Sequence, residues 1–174
     1  MVGFISLNQE VTELRSRIAI SGILGVRFLP IDRLMFLTIA TIVITLLLIA
    51  TFCDFRTREI PDWVSVAIAA TGMVAACLGG LGVNPIWVVS GGLMGMIVGW
   101  LLFHFAQFGG GDAKLIGAIG CVVGPIGLLI VLFLMALAGG VLSLIAVYRG
   151  ERDYAYAPAI MAGFVGYVGF VSQV

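Results

Sequence analysis

The stretch Leu34–Cys53, LMFLTIATIVITLLLIATFC, is 20 residues long and carries no charged side chain. A helix that rises about 1.5 Å per residue crosses the apolar core of a bilayer in roughly 20 residues. The stretch therefore predicts a transmembrane helix. The whole chain of 174 residues is 61% hydrophobic and 10% charged, whereas soluble domains carry roughly 25% charged residues. This composition excludes a soluble globular enzyme and a disordered chain.

Charged residues elsewhere occur in short packets that separate further apolar stretches. Because a charge is costly at the middle of a membrane, such packets mark the ends of membrane spans. Two segments rich in the turn residues glycine and proline, 79–85 and 124–127, divide the two longest apolar stretches. The sequence thus predicts an all-α integral membrane protein, a six-transmembrane-helix bundle with a short fourth helix. The predicted helices lie near 34–53, 63–79, 86–107, 113–123, 128–148 and 157–174.

Two regions follow from this division, an N-terminal tail at 1–33 and a six-helix membrane domain at 34–174. In the tail, apolar residues recur at the 4-3-4 spacing of one helical face. They are Leu7, Val11, Leu14 and Ile18. An amphipathic helix on the membrane surface and a partly ordered tail both agree with this pattern.

Several classes of partner and cofactor are not indicated. Nine basic residues balance nine acidic ones, so no net charge attracts nucleic acid. The three cysteines, Cys53, Cys77 and Cys121, form no CxxC pair, and no cluster of histidine and cysteine accompanies the carboxylates. The sequence therefore predicts no metal and no cofactor.

Two aspartates flank the predicted spans in a way that suggests chemistry. Asp54 follows the first span and Asp112 opens the fourth, with two crossings between them. An even number of crossings returns the chain to the same side, so both carboxylates are expected at one membrane face. Two carboxyl groups that lie close together share one proton. Such a pair can activate a water molecule against a peptide carbonyl.

The run Gly109-Gly110-Gly111 directly precedes Asp112. Glycine gives the backbone freedom and leaves space for a substrate strand. A plain flexible linker followed by a helix-capping aspartate explains the same residues. The helix dipole disfavours an anion at a helix C-terminus and favours one at an N-terminus, which predicts that Asp112 is ionised and Asp54 holds the proton.

The segment GGGDAK at 109–114 resembles the GxGD signature of intramembrane aspartyl proteases. The segment DFRTREIPDW at 54–63 resembles the one that carries the first aspartate of type IV prepilin peptidases, and YAPAI at 156–160 is similar to the start of that family's last helix. The resemblance covers residues 34–174. The chain looks like the short, peptidase-only form found in tight-adherence (Flp) pilus systems.

The resemblance implies an aspartyl endopeptidase that removes the leader from prepilins. These substrates have a basic leader and a hydrophobic helix. It implies that Asp54 and Asp112 are catalytic, and that Gly109 and Gly111 shape the loop. Lys114 is expected to tune Asp112 or bind the substrate backbone, or else to extend to the membrane interface. Two further acidic residues, Glu59 and Asp62, could attract the basic leader, but for Asp62 the position favours the N-cap of the second helix.

The distribution of basic residues predicts the orientation. The loops after the first, third and fifth helices hold basic residues, and those after the second and fourth hold none. By the positive-inside rule both aspartates face the cytoplasm, which agrees with a bacterial inner-membrane peptidase. Four arginines in the tail oppose this orientation: Arg15, Arg17, Arg27 and Arg33. The competing functions are a small transporter or proton pathway that uses the carboxylates and a non-catalytic scaffold; the oligomeric state is not indicated.

Overall fold

The computed structural model describes residues 30–57, 59–78, 85–106, 109–149 and 156–173, of which 30–33 and 106 are described by their backbone alone. The amphipathic pattern of the tail lies outside these residues. The described residues form five helices and no strand. They are α1 Pro30–Thr57, α2 Asp62–Cys77, α3 Pro85–Ala106, α4 Gly110–Arg149 and α5 Ala157–Gln173.

The composition of these helices is that of a membrane protein. Three segments are long and apolar enough to cross a bilayer: Leu34–Thr57, Pro85–Phe105 and Gly110–Arg149. The other two helices, α2 and α5, are apolar but shorter, with 16 and 17 residues. The prediction of an all-α membrane protein is confirmed.

The prediction of six separate helices is not confirmed, because the fourth and fifth predicted helices form the single element α4. Its one interruption is Gly124, whose φ of 70° and ψ of 178° are not helical. Pro125 follows directly and starts a new helical segment, since its missing N–H costs nothing in a first turn. One residue therefore makes the break, where the sequence suggested a turn over 124–127.

Glycines bring α3 against the first segment of α4, as their four-residue spacing predicts. A Cβ added at Gly99 would approach the backbone oxygen of Ala113 to 2.5 Å, and one at Gly95 that of Ile116 to 2.8 Å. Residue numbers rise along α3 as they fall along α4, so the two segments are antiparallel. In a membrane, close backbone approach of this kind supplies much of the attraction between helices.

The second segment of α4 packs on α5 in the same antiparallel manner. Gly163 lies against Val131 and Met135. Gly127 lies against Tyr167, in the C-terminal half of α5. Gly139 lies against Tyr156, the residue directly before α5. The second segment therefore leads back toward the beginning of α5.

The first segment of α4 runs parallel to α2. Asp62, the first residue of α2, pairs with Lys114, and Gly72, one turn before its end, lies against Cys121. The N-terminal ends of α2 and α4 thus lie at the same end of the bundle. The side chains that are almost completely buried come from all five helices and include Leu47, Ile68, Val88, Leu115, Ile119, Leu128, Ile160 and Phe164.

Candidate active site

Asp54 lies in the last turn of α1 and reaches the start of α5. Its Oδ2 accepts a hydrogen bond of 3.1 Å from the backbone N–H of Ala157, the first residue of that helix. The N–H groups of a first turn have no partner within their own helix. Asp54 therefore satisfies one of them and lies where the dipole of α5 favours a negative charge.

Asp112 lies in the first turn of α4 and is 8% exposed. Its Oδ1 is buried and has no hydrogen-bond partner among the described residues. Burying a polar group without such a partner costs free energy. An unsatisfied carboxyl oxygen in a membrane helix is therefore a candidate for chemistry rather than for stability.

The fold brings the two carboxyl groups together. The Asp54 carboxylate is close enough for its charge to act on Asp112, although 57 residues separate the two in the sequence. This placement agrees with the expectation that both aspartates lie at one end of the bundle.

The three glycines before Asp112 differ in the space around them. A Cβ at Gly109 would come to 3.2 Å from Oδ2 of Asp112, and one at Gly111 to 2.9 Å from the Cβ of Ile60. At Gly110 the nearest atom would be 3.9 Å away, on Phe103. The first and third glycines of the run thus let the loop pack against the Asp112 carboxyl and the α1–α2 connection, whereas the middle one faces open space.

The sequence profile of the type IV leader peptidase family matches residues 41–144, more than half of the chain. The chain belongs to this family. No curated protein matches significantly, and no solved structure does either. The match includes both aspartates and the glycine run, while α5 lies beyond it. The family supports a peptidase and confirms the resemblance seen in the motifs.

The remaining predicted residues of the peptidase lie near the pair with different contacts. Lys114 binds both carboxylate oxygens of Asp62, at 2.7 and 2.8 Å, so its ionic partner is Asp62 rather than Asp112. Glu59 is exposed, and its backbone oxygen accepts a hydrogen bond from the Thr57 hydroxyl.

Two contributors were not predicted from the sequence, Ile60 and Ala157. Ile60 packs on Gly111, and Ala157 donates a backbone N–H to Asp54. Neither side chain has reactive chemistry, so composition could not single them out. The segments that carry them, 54–63 and 156–160, were nevertheless noted for their resemblance to the family.

Aromatic side chains surround the active-site end of the peptidase. Trp63 is 55% exposed and Trp100 is 60% exposed. His104 stacks on Trp100 with ring centroids 5.6 Å apart, and Phe105 makes an edge-to-face contact with the His104 ring. Exposed tryptophans are typical of the boundary between lipid and water. These exposed aromatic side chains lie at the same end of the bundle as the aspartate pair.

Proposed function

We propose that this chain is a membrane aspartyl endopeptidase that removes the leader peptide from type IV prepilins of the Flp kind. The observation that carries the proposal is the placement of Asp54 and Asp112 at one end of the bundle, within reach of each other's charge and beside the Gly109–Gly111 loop. Family membership supports a leader peptidase. The resemblance of the chain to the short, peptidase-only form is the basis for the Flp kind.

In the proposed reaction, the ionised carboxylate removes a proton from water as its oxygen attacks the scissile carbonyl. The protonated carboxyl donates its proton to the carbonyl oxygen, which gives a neutral tetrahedral intermediate. One carboxyl then donates its proton to the leaving amine while the other carboxylate takes a proton from a hydroxyl of the intermediate, as the C–N bond breaks and the carbonyl re-forms. The reaction consumes one water, and the pair ends with the single proton that it held at the start.

We assign the negative charge of the resting pair to Asp54. It accepts a backbone hydrogen bond at the N-terminus of α5, whereas the buried Oδ1 of Asp112 lacks any donor among the described residues. Hydrogen bonds to a carboxylate stabilise it, and burial without them favours the neutral acid. This assignment is the reverse of the expectation from the sequence, which had Asp112 ionised and Asp54 protonated. That expectation considered only the helix that carries each aspartate, and the sequence did not show that the N-terminus of α5 lies at Asp54.

The proposed topology has six crossings and places the pair at the cytoplasmic face of the bacterial inner membrane. The reversal of direction between the two segments of α4 supports the sixth crossing, and the basic residues of the odd loops support the orientation. A basic leader would approach from the cytoplasm toward exposed Glu59, while the hydrophobic helix of the substrate stays in the lipid.

Co-expression with a prepilin tests the proposal. We expect leader removal to stop in Asp54→Asn and in Asp112→Asn, because each amide removes one half of the acid–base pair. Such groups contribute about 10²–10⁴ in rate. The Asp153→Asn variant provides a control with the same chemical change in the packet at 149–153.

Immunoblots establish that each variant reaches the membrane in the amount of the wild type. Leader removal at the wild-type rate by both active-site variants would contradict the proposed chemistry. Loss of processing in the Asp153→Asn control as well would contradict the assignment of the effect to the pair.

A further inference from the structure

A second feature at the active-site end is a groove between α2, α3 and the first segment of α4. It has a volume of ≈ 360 Å³. Its walls are mostly apolar and small. The lining residues on α2 are Asp62, Ser65, Val66 and Ala69, those on α3 are Gly92 and Met96, and those on α4 are Lys114, Gly117, Ala118 and Cys121.

The groove lies on a different side of α4 from the catalytic pair. Lys114 follows Asp112 by two residues, which is a rotation of about 200° around a helix. Asp112 is buried within reach of the Asp54 charge, while Lys114 pairs with Asp62 at the rim of the groove. The groove is therefore separate from the site described above.

Its polarity changes with depth. At the rim, Lys114 and Asp62 form an ion pair whose side chains are 57% and 70% exposed. One helical turn deeper, Ser65 is 93% buried, since only 7% of it is exposed. Ser65 lines the groove, and its hydroxyl oxygen is buried with no hydrogen-bond partner among the described residues. Beyond Ser65 the walls are apolar down to Cys121.

We propose that this groove binds one zwitterionic glycerophospholipid. Its phosphate contacts Lys114, and its ammonium group contacts Asp62. One acyl chain then follows the apolar walls past Ala69 and Gly92. The order of charged, hydrogen-bonding and apolar groups in such a lipid is the order of the lining with depth, and the exposed Trp63 and Trp100 place the rim at headgroup level.

The net charge of the rim favours a zwitterion over an anionic lipid. An anionic headgroup would pair with Lys114 but leave the Asp62 carboxylate beside a second negative charge. A headgroup that carries both signs replaces the existing ion pair on both sides. The charge complementarity is therefore with a lipid such as phosphatidylethanolamine.

The dimensions favour an acyl chain over a protein helix. From Lys114 to Cys121 the groove follows about 10 Å of α4. This is about a third of the roughly 30 Å that a membrane-spanning helix occupies. A partner helix would cover the groove without entering it.

Native mass spectrometry of the full-length, delipidated protein in a mild detergent tests this proposal. We expect phosphatidylethanolamine to form a one-to-one adduct at a concentration about tenfold lower than phosphatidylglycerol, as one additional charge-assisted contact predicts. Ala69→Leu fills the groove and should weaken the adduct at least tenfold. Ala70→Leu, the same change at the neighbouring exposed position outside the lining, should leave it unchanged.

A further variant tests the headgroup contacts by removing one charge at the rim of the groove. Asp62→Asn removes the partner of the ammonium group, so the two lipids should bind equally well. Equal adducts in Ala69→Leu and Ala70→Leu, both folded by thermal melting, would overturn the groove as the site. Two results would contradict a zwitterionic headgroup. One is a preference for phosphatidylethanolamine that persists in Asp62→Asn. The other is binding of phosphatidylglycerol by the wild type at the same concentration as phosphatidylethanolamine. Retention of a processed pilin helix in place of lipid would overturn the proposal entirely.

Discussion

At the scale of single residues, the active site combines two reactive side chains with contacts from residues that have no reactivity. The sequence predicted Asp54, Asp112 and the glycine run, because carboxylates and repeated glycines are visible as residue types. It did not predict the Ile60 contact with Gly111 or the Ala157 N–H on Asp54. These contacts join distant parts of the chain, and they depend on how the helices pack.

The glycine run gives a prediction with an internal control. Gly111→Ala should lower leader removal by about tenfold or more, because a Cβ at 2.9 Å from Ile60 must displace the loop that carries Asp112. Gly110→Ala places its Cβ in open space and should retain activity close to that of the wild type. The measurement is the processing rate of a co-expressed prepilin.

Gly109→Ala should have an intermediate effect, since its Cβ contacts only the movable carboxyl of Asp112 at 3.2 Å. Equal rates for all three alanine variants would contradict the view that these contacts position the aspartate.

At the scale of the elements, the main difference between expectation and structure is the break in α4. The sequence located it correctly, at the Gly-Pro pair, but predicted a turn and two separate helices. A single glycine with φ near 70° is sufficient to change the direction of the chain, because Pro125 resumes the helix at once. Composition cannot distinguish a one-residue break from a four-residue turn, since both use glycine and proline.

Gly124→Ala should destabilise the fold by about 1–3 kcal/mol, because its φ and ψ lie in a region that is open essentially to glycine alone. The added Cβ would meet Trp87 at an ordinary 3.5 Å, so the cost comes from the backbone. Gly140→Ala provides the control, as its Cβ would meet nothing within 4 Å and the helix would gain up to about 1 kcal/mol. Thermal unfolding in detergent measures both; equal melting temperatures would contradict the strained break.

At the scale of the whole molecule, the directions of the helices place the chemistry at one end. The sequence predicted this from the even number of spans between the aspartates. The parallel packing of α2 with the first segment of α4, and the antiparallel packing of α3, agree with this prediction. The orientation in the membrane is predicted from the distribution of basic residues.

Reporter fusions examine that orientation. A periplasm-active phosphatase inserted within 79–84 should be active, whereas one inserted within 150–155 should be inactive, because only the second connection follows a basic helix end. A reporter active only in the cytoplasm should give the opposite result at each site. An active phosphatase within 150–155, with none within 79–84, would place the aspartate pair outside the cytoplasm.

The central claim is that Asp54 and Asp112 act as one unit, and a double-mutant cycle on the purified protein in lipid nanodiscs tests it most directly. Single-turnover cleavage of a prepilin should fall to the same residual rate in Asp54→Asn, in Asp112→Asn and in the double variant, since groups that act as a unit are strongly non-additive. If the two single losses instead multiply in the double variant, the aspartates act independently and the shared-proton mechanism is wrong.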